Sequence, residues 1–247
     1  MEIEKKKDWL LPSSILLAAI LVSLSLVYSA GKTPSTGEQK AEVPTPTGQE
    51  PAEVITPVSA DDHIRGASNP KVVIVEYSDL ECPFCKSFHD TMTQVIREYD
   101  NEVAWVYRQF PIETLHPKAV KEAEASECAA ILGGNEAFWA YVDKIFEVTP
   151  SNNGLDLALL PDIAEDIGLD RAKFQSCLDG GEASAEVGKD MEDVSRLDAW
   201  SRQNLGRGVG TPYSVMINLE TGKSNIIPGA LPFAQVASFV DQILEQK

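Results

Sequence analysis

Apolar positions change their period along this chain, and the changes divide it. Residues 71–79, "KVVIVEYSD", form a nearly unbroken β-branched run, which fits a strand covered on both faces. Phe88, Met92, Val95, Ile96 and Tyr99 then recur at helical spacing and predict a helix beginning near Cys82. Pro83 suits its first turn, where no backbone N–H is needed. "VAWVYRQF" (103–110) reads as a second two-sided strand, so strand, helix and strand make one βαβ unit. From about 116 to 205 the pattern turns helical, with room for four or five helices between the breaks "LGGN", "TPSNNG", "IGLD" and "LDGG". Strands at 212–218 and 224–229 flank the turn "LETGK", and 232–244 reads as a closing amphipathic helix. The predicted class is α/β: a βαβ unit, a helical insert and a ββα unit.

The N-terminal part follows other rules. Residues 10–27, "LLPSSILLAAILVSLSLV", carry no charge and follow Lys5, Lys6 and Lys7. That arrangement predicts a cytoplasmic N-terminus over 1–8, a transmembrane anchor over 9–29 and an extracytoplasmic remainder. A signal peptide cut after Ser29 is the competing reading, and the length of the run favours the anchor. Residues 30–60 are rich in Pro, Thr, Glu and Gly, too poor in apolar surface to offset their ordering entropy, and predict a disordered tether reaching about 90 Å when largely extended. The folded domain is expected over 61–247. Charge narrows its partners: 21 Lys and Arg against 38 Asp and Glu give −17, and such a surface repels phosphate backbones, so nucleic acid is not expected.

"DLECPFCKSFHD" (79–90) carries the candidate chemistry. Cys82 falls at the start of the predicted helix, where unpaired N–H groups and the helix dipole stabilise a thiolate, and Cys85 lies one turn on, within reach of a disulfide. Zinc is the rival reading and is poorly served. Only Cys128 and Cys177 remain as further thiols, and His63, His89 and His116 are scattered and read as solvated, so neither metal nor cofactor is expected. Cys128 and Cys177 sit on apolar helix faces and could be small buried hydrophobes; export and an even cysteine count favour a structural disulfide between them. Glu76, six residues before Cys82, could extend inward and relay protons to the thiols, or point into solvent at the strand end. The acidic run "GGEASAEVGKDMEDVSRLD" reads as a solvated helix face.

With "CPFC" at a strand-to-helix junction, "GTP" (210–212) opening a later strand and a helical insert between, the chain over roughly 60–245 resembles the thioredoxin superfamily, in particular its DsbA-like branch of exported disulfide oxidoreductases. The resemblance implies that Cys82 attacks, Cys85 resolves, and Pro212, preceded by Thr211, is a cis-proline facing the pair. It also implies a buried acid at Glu76, reduced or unfolded exported proteins as substrates and a membrane-bound, quinone-linked reoxidant. Oxidation through the Cys82–Cys85 disulfide is the expected direction. Reduction or isomerisation is the alternative, since Phe84 between the cysteines offers no hydrogen bond to the thiolate and Thr211 also occurs in isomerase-type members. A holdase-like binding module is the reading outside enzymes.

Overall fold

The computed structural model describes residues 49–246. The anchor expected over 9–29, the residues before it and the tether as far as residue 48 lie outside the described residues. Among the described residues no helix is long and apolar enough to cross a membrane.

The expected strands and helices form around a five-stranded sheet of order β1-β3-β2-β4-β5. Its centre is β2 (Val72–Ser78), parallel to β3 (Val103–Gln109) and antiparallel to β4 (Tyr213–Asn218), and β5 (Ser224–Pro228) closes one edge. All seven residues of β2 and all seven of β3 are buried, which is why both sequences are apolar without alternation. The parallel pair is joined by α1 (Pro83–Glu98). With α6 (Phe233–Leu244), α1 covers the face that carries Val72 and Ile74; the opposite face, with Val73, Val75 and Tyr77, is covered by α5 (Ser184–Leu205).

The helical insert comprises α2 (Ala119–Val148), α3 (Leu160–Asp166), α4 (Arg171–Gly180) and α5. α2 changes direction at Gly134, whose φ of 71° a residue with a Cβ rarely adopts, so the "LGGN" break kinks the chain without ending the helical path. Cys128 of α2 and Cys177 of α4 are joined by a disulfide closing a separation of 49 residues. By loop entropy such a closure is worth about 4 kcal/mol.

Three expectations need correction. A short edge strand, β1 (His63–Gly66), pairs antiparallel with β3, although "HIRG" has no alternating pattern to announce it. Second, the tether does not run to residue 60. Pro51–Glu53 form a turn of 3₁₀ helix, Ile55 is buried, the Thr56 N–H donates to Asp193 Oδ1 at 2.6 Å, and Trp200 Nε1 donates to the Gln49 carbonyl at 2.9 Å. Third, the acidic run is not simply solvated. Asp193 is 1% exposed and accepts from Arg108 Nη1 at 2.6 Å and from the Tyr77 hydroxyl, while Arg108 Nε reaches Asp62 at 2.8 Å. Such burial of charge is tolerated because each charged group has an opposite partner and further hydrogen bonds.

Candidate active site

The motif is built at the carboxyl end of β2, where the chain turns into α1. Cys82 is the residue before the helix, in an extended conformation (φ −78°, ψ 122°), and Pro83 is its first helical residue. A proline there costs no hydrogen bond, since the first-turn N–H groups have no helical partner. Cys85 lies one turn in and is fully buried, whereas Cys82 is 4% exposed and Phe84 stands out at 66%. Both thiols are reduced. Facing them is the loop before β4: the Cys82 thiol donates to the Thr211 carbonyl at 3.6 Å, and the Thr211–Pro212 peptide is cis.

The two sulfurs differ in charge preference. A hydrogen bond from the Cys85 thiol, helped by the Cys85 and Phe84 N–H groups and by Thr211, lowers the Cys82 pKa to about 6 against the opposing cost of burial. Burial, and then the neighbouring Cys82 sulfur, pushes Cys85 well above the ordinary thiol range. One thiolate and one thiol therefore coexist near neutrality, with the thiolate nearer the surface.

Glu76, on the same face of β2 as Ser78, lies near enough to Cys85 for its charge to raise that thiol's pKa. It is 1% exposed, which removes the solvent-facing alternative, and burial pushes its pKa up to about 7. In register it sits beside Tyr107 of β3 and Ser214 of β4, with Ser78 two residues on along the same face. Both carboxyl oxygens of Glu76 and the hydroxyls of Ser78, Tyr107 and Ser214 are buried without a protein hydrogen-bond partner.

Sequence reasoning missed the residues that hold the motif turn. Asp79 is 1% exposed; its carboxylate accepts the N–H of Glu81 at 2.8 Å and of Ile112 at 2.9 Å, and His116 Nδ1 lies 2.9 Å away. Its own N–H meets Cys85 Sγ at 3.4 Å, and its carbonyl accepts the Cys82 N–H at 3.1 Å. An aspartate closing a strand just before a turn is the signal that could have found it, because such side chains bind the backbone two residues on. Glu81 is fully buried and accepts the Asn152 N–H on its carbonyl at 2.8 Å and the Asn153 N–H on its side chain. Glu122, in the first turn of α2, is buried beside it; burial, then Glu81, pushes its pKa up to about 10.

The histidines are corrected as well. His89 and His116 are buried, and each of the three meets a carboxylate: His63 with Glu127 at 2.8 Å, His89 with Asp143 at 2.7 Å and His116 with Asp79. Among the described residues no three His, Cys, Asp or Glu side chains converge as a metal site. Cys82, Cys85, Glu76, Pro83, Phe84, Thr211 and Pro212 are thus brought to one place, and the Cys128–Cys177 bridge belongs to the helical insert.

Comparison with known proteins follows the same lines. A family model described as Thioredoxin matches residues 59–200, more than half of the chain. Among solved structures, Pseudomonas aeruginosa DsbA2 is 26% identical with a TM-score of 0.60 over 77% of this chain and 98% of that one. Wolbachia pipientis alpha-DsbA1, 20% identical with a TM-score of 0.60 over 77% of this chain and 94% of its own, shares the fold. Among curated proteins, a stretch of 170 residues is 30% identical to a Na(+)/H(+) antiporter NhaA 1 of Mycolicibacterium gilvum, covering 66% of this chain and 27% of the antiporter. A stretch of 86 residues is 38% identical to the NhaA 1 of Mycolicibacterium vanbaalenii, covering 35% of this chain and 14% of that one. The chain thus spans about a quarter or less of the length of these two relatives.

Proposed function

The chain belongs to the thioredoxin family, and on that premise we propose that it is an extracytoplasmic protein thiol–disulfide oxidoreductase that oxidises exported proteins through Cys82 and Cys85. The observation that carries this reading is the inequality of the two sulfurs: a stabilised thiolate on Cys82 and a buried thiol on Cys85. In the oxidised protein, a substrate thiolate attacks Cys82 Sγ, forms a mixed disulfide and expels Cys85 as a thiolate. Cys85, whose site disfavours charge, takes a proton, and Glu76 is the buried acid placed to give it. A second substrate thiolate then attacks the substrate sulfur of the mixed disulfide. The substrate disulfide closes and Cys82 leaves as the thiolate that its surroundings favour. The two electrons gained pass to an external oxidant, for which a membrane-bound, quinone-linked protein is the proposed partner.

Thiolate stability also bears on direction, because a better leaving group makes a more oxidising disulfide. The Cys82 pKa is lowered to about 6, which makes its thiolate a better leaving group than an ordinary thiol's. Phe84, between the cysteines, offers the Cys82 thiolate its backbone N–H and no side-chain donor. The name Na(+)/H(+) antiporter belongs to the whole relatives, of which this chain matches about a quarter or less. Equilibration with glutathione tests the direction: a potential above about −200 mV supports oxidation, and one near thioredoxin's value of about −270 mV overturns it in favour of reduction.

A further inference from the structure

The loop that faces Cys82, "GRGVGT" (206–211), has glycine at every second position and no regular structure. Its conformational freedom is larger than that of any side chain it carries. Yet it must place Thr211 against a sulfur. One side chain outside the loop, Asp198 on α5, takes hold of it: Asp198 Oδ1 accepts the Val209 N–H at 2.9 Å, two residues before Thr211. Its other oxygen accepts from Arg202 Nε at 2.7 Å, one helical turn further on, which fixes the carboxylate's orientation. The fit is close. A Cβ on Gly208 would lie 2.8 Å from Asp198 Oδ1 and 2.6 Å from Arg202 Nη2, so a larger residue there would push the Asp198–Arg202 side chains from their present places. Asp198 belongs to the acidic run that reads as solvated in the sequence, and no step of the thiol–disulfide reaction uses it.

We infer that Asp198 is a positioning residue, which sets the place of Thr211 relative to Cys82 by holding the Val209 N–H, with Gly208 admitting the contact. The inference rests on the thiol–disulfide reading of the site. Loosening the bracket lets Thr211 drift from the sulfur, so the Cys82 thiolate loses the donation of the Thr211 hydroxyl that helps to stabilise it. The acceptor oxygen carries the effect, and the negative charge is secondary.

The test uses the full-length reduced protein, with Cys82 alkylation by iodoacetamide followed across pH and exchange with oxidised glutathione measured at one pH. Asp198→Ala should move the alkylation midpoint to higher pH and slow exchange roughly three- to tenfold, the range for losing one hydrogen bond. Asp198→Asn, which keeps an acceptor for Val209, should restore the midpoint and bring exchange to within about twofold of wild type. Gly208→Ala should displace Asp198 Oδ1 and shift the profile in the same direction as Asp198→Ala, without touching the carboxylate chemically. A midpoint unmoved in Asp198→Ala, whatever its melting temperature, overturns the inference, as does an Asn variant as impaired as Ala. If Asp198→Ala does not fold, Gly208→Ala decides alone, and an unmoved midpoint there overturns it too. Alkylation needs no turnover, so a wild-type protein that alkylates near pH 6 but never exchanges with disulfides would sink the functional reading and leave the bracket standing.

Discussion

The two faces of the central sheet treat buried polar groups in opposite ways. On the α5 face, Arg108, Asp193, Tyr77 and Asp62 are buried as a paired set, and Asp193 alone accepts from Arg108, Tyr77, Thr56 and Arg196. On the α1 face, Glu76, Ser78, Tyr107 and Ser214 are equally buried, and their side-chain oxygens have no protein partner. Ser78 and Trp105 lie near enough to Glu76 to ease its burial, but no opposite charge stands beside it, so the second face holds its acid without the ion pairs of the first. That acid lies near Cys85, the sulfur that must gain and give up a proton. Paired charge on one face secures the fold, whereas the proposed reaction draws on the acid buried on the other.

The comparison breaks first, if it breaks, at Arg108. Arg108→Ala strips the partner from Asp193 and Asp62 and should cost about 3–5 kcal/mol in urea unfolding, as when one member of a buried pair is removed. It should leave the Cys82 alkylation midpoint near pH 6. A variant of wild-type stability, or one with a displaced midpoint, would mean that the two faces are not separable.

Glu76→Gln probes the other face with a smaller effect and a defined sign. Glu76 titrates at about 7 in the fold against an ordinary 4.5, so between those values the folded protein holds a proton that the unfolded chain has released. Its contribution is therefore complete below about pH 4.5, falls as pH rises and is fully lost above about pH 7, a swing of about 3 kcal/mol. Glu122 extends the decline toward pH 10 in both proteins, so the quantity to measure is wild type minus variant. That difference should fall by about 3 kcal/mol between pH 4.5 and pH 7, and Glu76→Gln should also slow the expulsion of Cys85 by a substrate thiolate. Parallel pH–stability curves for the two proteins would remove Glu76 as the group that titrates.

Elements with a strong local pattern are legible in the amino-acid sequence alone. β2, α1, β3 and α6 lie within a residue or two of their apolar runs, and Cys82 falls where helix-start chemistry places it. Legibility stops where a residue's role depends on a distant partner. Tyr77 and Asp193 are 116 residues apart in sequence, and Thr56 and Asp193 are 137 apart, so neither the end of the Pro-rich segment nor the acidic run shows locally that it is part of the core. The histidines mislead for the same reason, since each is fixed by a carboxylate from another element. β1 is four residues long and owes its strand to the exposed edge of β3. Of the site, the cysteines, Glu76 and the Thr211–Pro212 loop are readable from spacing and family resemblance. Asp79 and Glu81 are not, although they flank the motif, because their work is to bind backbone at Ile112 and Asn153.

The central claim is that the two sulfurs divide the work, with Cys82 bonding to the substrate and Cys85, beneath it, expelled as the mixed disulfide forms and able to displace the substrate again. A non-reducing gel of Cys85→Ala and Cys82→Ala proteins, each produced in an oxidising compartment, tests it most directly. Without the internal thiol that can displace a bound substrate, Cys85→Ala should accumulate mixed disulfides with substrate proteins on Cys82, while Cys82→Ala, left with a buried thiol that resists ionisation, should accumulate few or none. Adducts gathering on Cys82→Ala instead would reverse the roles and contradict the account.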